Sequence, residues 1–101
     1  MSNQTLQCLR LRHHAKGKLI GYADFKLPTM GLIFRNCAVL DGENGLWVQL
    51  PTYRHAEGDS AKWVPCVDFA DGKRRQQWER EAAMAVEQYI RLHENRGQRH
   101  E

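Results

Sequence analysis

The sequence predicts an α+β fold: a small antiparallel β-sheet of four to five strands, connected as a meander and packed on one long C-terminal α-helix. Three observations point there. Apolar and polar residues alternate between Leu19 and Leu27, the period of a strand with one covered face. Two apolar runs flank Asp41-Gly42-Glu43-Asn44-Gly45, a segment rich in the residues that tight hairpin turns select. From about Asp71 the apolar period lengthens to that of a helix, and neither Gly nor Pro recurs between Gly72 and Glu94. With 101 residues the chain has room for one domain and one modest core. That domain spans residues 1–101, with its core at about 5–94 and a fraying tail at 95–101.

Thr5 to Arg12 is the first expected strand, with Leu6, Cys8, Leu9 and Leu11 as its apolar members. Its alternation slips between Cys8 and Leu9, which implies either two covered faces or a bulge. His14 to Lys18 reads as a polar turn. In the next strand Leu19, Gly21, Ala23, Phe25 and Leu27 share one face, opposite Tyr22, Asp24 and Lys26. Pro28-Thr29-Met30-Gly31 breaks that run. Leu32 to Leu40 and Leu46 to Leu50 form the two arms of the hairpin. Pro51 to Lys62 has no apolar pattern and reads as an exposed, mobile loop. Lys62 to Val67 offers a short strand that Pro65 confines to an edge or an end. Trp78, Ala82, Ala85, Val86 and Tyr89 then fall on one helical face, with Asp71 placed to cap the start and Gly97 the end.

Composition narrows the function classes only coarsely. A formal net charge of +3 is compatible with an anionic partner without requiring one. Met1 to Thr5 is polar and no long apolar run follows, so neither an export signal nor a membrane span is expected. Cys8, Cys37 and Cys66 are an odd number, widely spaced, and lie in apolar runs where reduced thiols act as small hydrophobes. The expectation is a soluble, cytoplasmic protein.

No catalytic constellation is complete. His55-Ala56-Glu57 followed by Pro65-Cys66 opens like the zinc deaminase signature, but Phe69 stands where the second cysteine belongs. His13 and His14 are adjacent, so in a strand they point to opposite faces, and no Cys-x-x-Cys pair supplies a metal site. Asp41 and Glu43 sit in the turn, and Glu57 and Asp59 in a polar segment with no apolar wall to raise a pKa. The chain is therefore read as no enzyme, with no cofactor and no metal.

One electrostatic feature stands out. Lys73, Arg74 and Arg75 open the helix, where the positive end of the helix dipole favours acids. Three cations there cost on the order of several tenths of a kcal/mol unless an anion meets them. Free N–H groups beside a basic cluster suit a phosphate. Arg54 and Lys62 in the preceding segment extend the cationic set, and Tyr53 and Trp63 offer stacking surfaces. Trp47 alternates with Leu46, Val48 and Leu50 and so falls on the opposite sheet face, as a stacking platform or an interface residue. The competing reading is a solvated basic turn balanced by Glu79 and Glu81. Trp78 and Tyr89, at helical spacing among alanines and valine, are read as core.

The run Cys37 to Thr52, with Val39-Leu40-Asp41-Gly42-Glu43-Asn44-Gly45-Leu46-Trp47-Val48-Gln49-Leu50-Pro51 at its centre, resembles the SpoVG family (stage V sporulation protein G, a bacterial septation regulator). Leu9-Arg10-Leu11-Arg12, Arg54, Glu57-Gly58 and Pro65 resemble that family's flanking elements more loosely, over roughly residues 6–92. The resemblance implies a small α+β homodimer that binds DNA or RNA through the basic start of its helix, here Lys73, Arg74 and Arg75, with Arg54 contributing from the loop. The family's helix usually opens with a Ser- and Arg-containing segment, where this chain carries Asp68 and Asp71. The alternative is a protein–protein interaction module that uses the sheet edge and the 51–62 loop to regulate or inhibit a partner protein.

Overall fold

A computed structural model describes residues 6–58 and 60–94. β1 (Gln7–Lys16), β2 (Leu19–Leu27), β3 (Leu32–Gly42) and β4 (Gly45–Gln49) form one antiparallel sheet in the order β1-β2-β3-β4, the expected meander. β5 (Thr52–Glu57) and β6 (Ser60–Pro65) form a separate two-stranded ribbon. The helix α1 (Gly72–Tyr89) follows and passes into a π-helical turn, Ile90–Glu94.

The ribbon corrects the expectation of a mobile loop over Pro51 to Lys62. Glu57 pairs with Ser60 across a turn in which Gly58 takes a positive φ of 64°. Thr52 and Tyr53 favour extended backbone, and Trp63-Val64 supplies the answering arm. The segment lacks an apolar period because neither face of the ribbon is covered: from Tyr53 to Trp63 every described residue is exposed. Strand periodicity reports burial, so an unburied strand leaves no such trace. Pro65 is the last residue of β6, an end position as expected.

Inside the sheet, register explains which side chains become core. The slip in β1 is a bulge: Cys8 pairs with Phe25 and Arg10 with Asp24, leaving Leu9 over. β1 also runs on to Lys16, so the turn it feeds is shorter than His14 to Lys18. A second bulge separates Leu19 from Gly21, because those residues pair with Leu40 and Val39. The extra residue moves Leu19 off the face that it was expected to share with Ala23 and Phe25. A third bulge lies in β3, where Cys37 pairs with Ala23 but Phe34 with Phe25. Arg35 and Asn36 thus stand opposite Asp24 alone, and Asn36 has a positive φ of 59°.

The β3–β4 hairpin closes on the pair Gly42 and Gly45, and the left-handed conformation falls at Gly45, with φ 118°. Gly42 is favoured for a different reason. A Cβ there would lie 3.0 Å from the carbonyl oxygen of Gly45.

α1 lies across one face of the sheet, against β4 and β1. Trp78, Ala82, Ala85 and Val86 are buried, as their spacing requires, against Ala23, Phe25, Cys37, Val39 and Val48. Trp78 meets Phe25 nearly edge-on (5.8 Å between centroids, 72°) and Phe34 at 5.4 Å and 60°. Tyr89 is only half-buried and stacks on His93 at 4.2 Å. The expected helix stop at Gly97 and the tail at 95–101 lie outside the described residues.

Candidate nucleic-acid interface

The start of α1 is held by Asp71. Its extended backbone (φ −109°, ψ 119°) precedes the helix, and its carboxylate accepts the Lys73 N–H at 2.9 Å. Its carbonyl accepts from the Arg74 and Arg75 N–H groups, each at 3.1 Å. The N–H groups expected to meet a phosphate are thus partly committed to an acid that the chain supplies itself. The side chains are freer. Lys73, Arg74 and Arg75 are all exposed, and no acid lies in the first turn. Arg75 approaches Asp68 at 3.8 Å, with both side chains half-exposed. Lys73 and Arg74 have no ion pair among the described residues. Three consecutive helical positions fan out around the axis instead of forming one stripe. Arg74 borders a concavity of about 370 Å³ with Leu27, Met30, Phe69 and Trp78.

The other sequence-predicted residues lie elsewhere. In the ribbon Arg54 pairs with Trp63, so the two share one of its faces. His55 pairs with Lys62 and Tyr53 with Val64, which places Tyr53 and Lys62 on the other face. Trp63 is 70% exposed and Tyr53 48%. Trp47 is exposed opposite Leu40, and β4 is an edge strand of the sheet. It borders a concavity with Gln76, Arg80 and Met84 of α1. The candidate residues therefore occupy three places: the helix start, the ribbon and the β4 edge.

A fourth place escapes sequence reasoning. On the sheet face away from α1, Asp24 is buried with its carboxylate beneath three arginines. Arg12 Nη1 lies 3.5 Å from Oδ2, Arg35 Nη1 3.8 Å and Arg10 Nε 4.0 Å. The Asn36 backbone N–H, turned inward by the β3 bulge, donates to Oδ1 at 2.9 Å, and Arg12 also donates to the Asn36 side-chain carbonyl. Burial by itself raises the Asp24 pKa. The Asn36 N–H, the bond and charge of Arg12 and the charge of Arg10 outweigh it, and hold the carboxyl below its ordinary value. Alternation of Arg10 with Arg12 and of Tyr22 with Asp24 was the available signal. Pairing them needed the register, which four shifts along the strands disguise.

An ionised, ion-paired carboxylate is no general base at neutral pH. Among the described residues no three His, Cys, Asp or Glu side chains come together in a metal-binding arrangement. Cys8 and Cys37 are pushed up to about 11 and about 12, in each case first by burial, so neither is a ready nucleophile. What these surfaces offer is guanidinium and ammonium groups for anions, and exposed rings for stacking. No described helix is long and apolar enough to cross a membrane. Neither a protein-family model nor a curated protein matches the chain.

Proposed function

We propose that the chain is a non-enzymatic, nucleic-acid-binding regulatory protein of the SpoVG kind, binding DNA or RNA through the basic start of α1. The observation that carries this reading is the cationic segment Lys73-Arg74-Arg75, exposed at a helix N-terminus with one long ion pair among the described residues. Such a cluster suits a phosphate backbone, which it engages without reading sequence. Arg54, Lys62, Tyr53 and Trp63 on the ribbon add cations and rings on an arm outside the main sheet. The protein acts in the cytoplasm as a homodimer. β4 is an edge strand of the four-stranded sheet, and its unpaired backbone groups are a ready pairing surface for a second copy. Control of transcription or septation is the role that the resemblance names.

Fluorescence anisotropy with labelled duplex DNA, single-stranded DNA and RNA tests the reading. Binding is expected to weaken steeply with salt and to drop when Lys73→Glu is combined with Arg75→Glu. Absence of binding to all three at low salt overturns it.

A second reading has its own observation. Trp63 and Tyr53 are exposed on a ribbon that pairs with no strand of the main sheet. That is the form of a protein-interaction module. Under this reading Trp63→Ala abolishes capture of a protein partner, and the Lys73→Glu, Arg75→Glu pair leaves it intact.

A further inference from the structure

We propose that the sheet face opposite α1 is a second binding surface, one that takes single-stranded nucleic acid. Phosphates rest on Arg10, Arg12 and Arg35, and a base enters the concavity between Tyr22 and Trp63. The inference rests on the nucleic-acid reading above and adds to it a site and a strand preference.

The face carries an excess of positive charge. Three guanidiniums converge on one carboxylate, which leaves two positive charges in excess. Among the residues that register places on this face, Asp24 is the one acid, and Lys26 follows two positions along β2. One arginine would neutralise Asp24. A guanidinium has five N–H donors, and Arg10 and Arg35 are mostly exposed, so they present most of theirs to solvent. The buried carboxylate fixes where these charges stand, in the manner of a preorganised anion site.

Beside the cluster lies a concavity of about 530 Å³ lined by Tyr22, Asn36, Ala38, Leu40, Gln49 and Trp63. Asn36 belongs to both features, since it bonds Arg12 and Asp24 and also lines the concavity. The lining joins two aromatic rings, a floor of aliphatic side chains and the amides of Asn36 and Gln49. Rings stack on the face of any base, and amides meet its edge. A duplex keeps its bases stacked inside, so only an unpaired strand can place one here. Trp63 reaches this face from the ribbon, which explains why so large an apolar side chain stands on an exposed arm.

The test uses a labelled oligouridylate and a labelled duplex DNA of equal length. Four proteins are compared: wild type, Arg10→Glu with Arg35→Glu, Tyr22→Ala, and Lys73→Glu with Arg75→Glu. The arginine pair is expected to weaken oligouridylate binding about tenfold or more and to flatten its salt dependence by about two phosphate contacts. Tyr22→Ala is expected to weaken oligouridylate about fivefold or more and to leave duplex affinity unchanged. Circular dichroism and the urea midpoint establish that each variant is folded. If only the Lys73, Arg75 pair loses affinity, the sheet-face site is overturned and the helix-start reading stands. If wild type binds neither probe, both fall. If the Arg10, Arg35 pair changes the sedimenting mass of the free protein, the face is an interface between copies, and the inference is overturned.

Discussion

The backbone N–H of Asn36 donates to the Asp24 carboxylate at 2.9 Å, across a bulge that leaves that N–H without a place in the strand ladder. A buried carboxylate with no partner is costly, and the Asn36 N–H has left the strand ladder. Each group thus answers the other, and the arginines complete the set. The pair joins the fold to the surface chemistry, because the same carboxylate that satisfies the bulge positions Arg10, Arg12 and Arg35.

Asp24→Ala removes the charge and the acceptor of the Asn36 N–H. The expected loss of stability is about 2 kcal/mol, read from the urea midpoint at neutral pH. Asp24→Asn keeps the shape and separates the charge effect. Because the folded-state pKa is lowered, the stability supplied by the carboxylate is complete above the ordinary carboxylate range. It fades as pH falls through the lowered value. The gap between wild type and Asp24→Asn should therefore be widest near neutrality and close in acid. A gap independent of pH contradicts this account.

Asn36 holds a left-handed backbone, a conformation that β-branched residues resist. Asn36→Val is expected to cost about 2 kcal/mol, part strain and part loss of the Arg12 bond. Asn36→Gly keeps the conformation and loses only the bond, so it should cost less than half as much. Equal losses would show that the conformation is not what selects asparagine here.

Trp78 is buried against Phe25 and Phe34, yet its indole Nε1–H has no partner among the described residues. Trp78→Phe removes that orphan donor together with some volume, and the two effects oppose each other. The expected net cost is about 1 kcal/mol, against about 4 kcal/mol for Trp78→Ala. Thermal melts of the two variants decide it.

The three thiols should separate by reactivity. Cys66 is exposed, whereas Cys8 and Cys37 are pushed up to about 11 and about 12. At pH 8 a disulfide reagent is expected to consume one equivalent rapidly in the native protein and all three after denaturation. The expectation that all three thiols act as small hydrophobes in apolar runs fails at Cys66, which is exposed just past β6.

Much of the fold is legible in the sequence. Alternation at Ala23 and Phe25, the Gly-rich turn before Leu46 and the helical spacing of Trp78 with Ala82, Ala85 and Val86 each report burial against the core. The four-stranded meander and its helix follow. Where burial ends, legibility ends too: from Tyr53 to Trp63 the described residues of the ribbon are exposed, so no period marks it. The bulges at Leu9, Ile20 and Asn36 are hidden for another reason. Each inserts one residue, and only the partner strand reveals which residue is extra. The basic helix start is legible in composition, but Asp71 reaching back to the Lys73 N–H alters what that start can offer an anion. The arginine cluster over Asp24 joins residues from three strands, and no local window contains it.

The ribbon has a consequence for how this chain can change. Its base is closed by the Cys66 N–H to the Pro51 carbonyl at 2.8 Å, and neither strand belongs to the main sheet. Its opening therefore need not propagate into the core, and its amides should exchange with solvent long before those of β2 and β3. Substitutions at Tyr53, Arg54, Lys62 or Trp63 meet little packing to disturb. Selection can revise that arm freely while the sheet and helix stay fixed, so relatives of this chain could acquire new targets there without first acquiring a new fold.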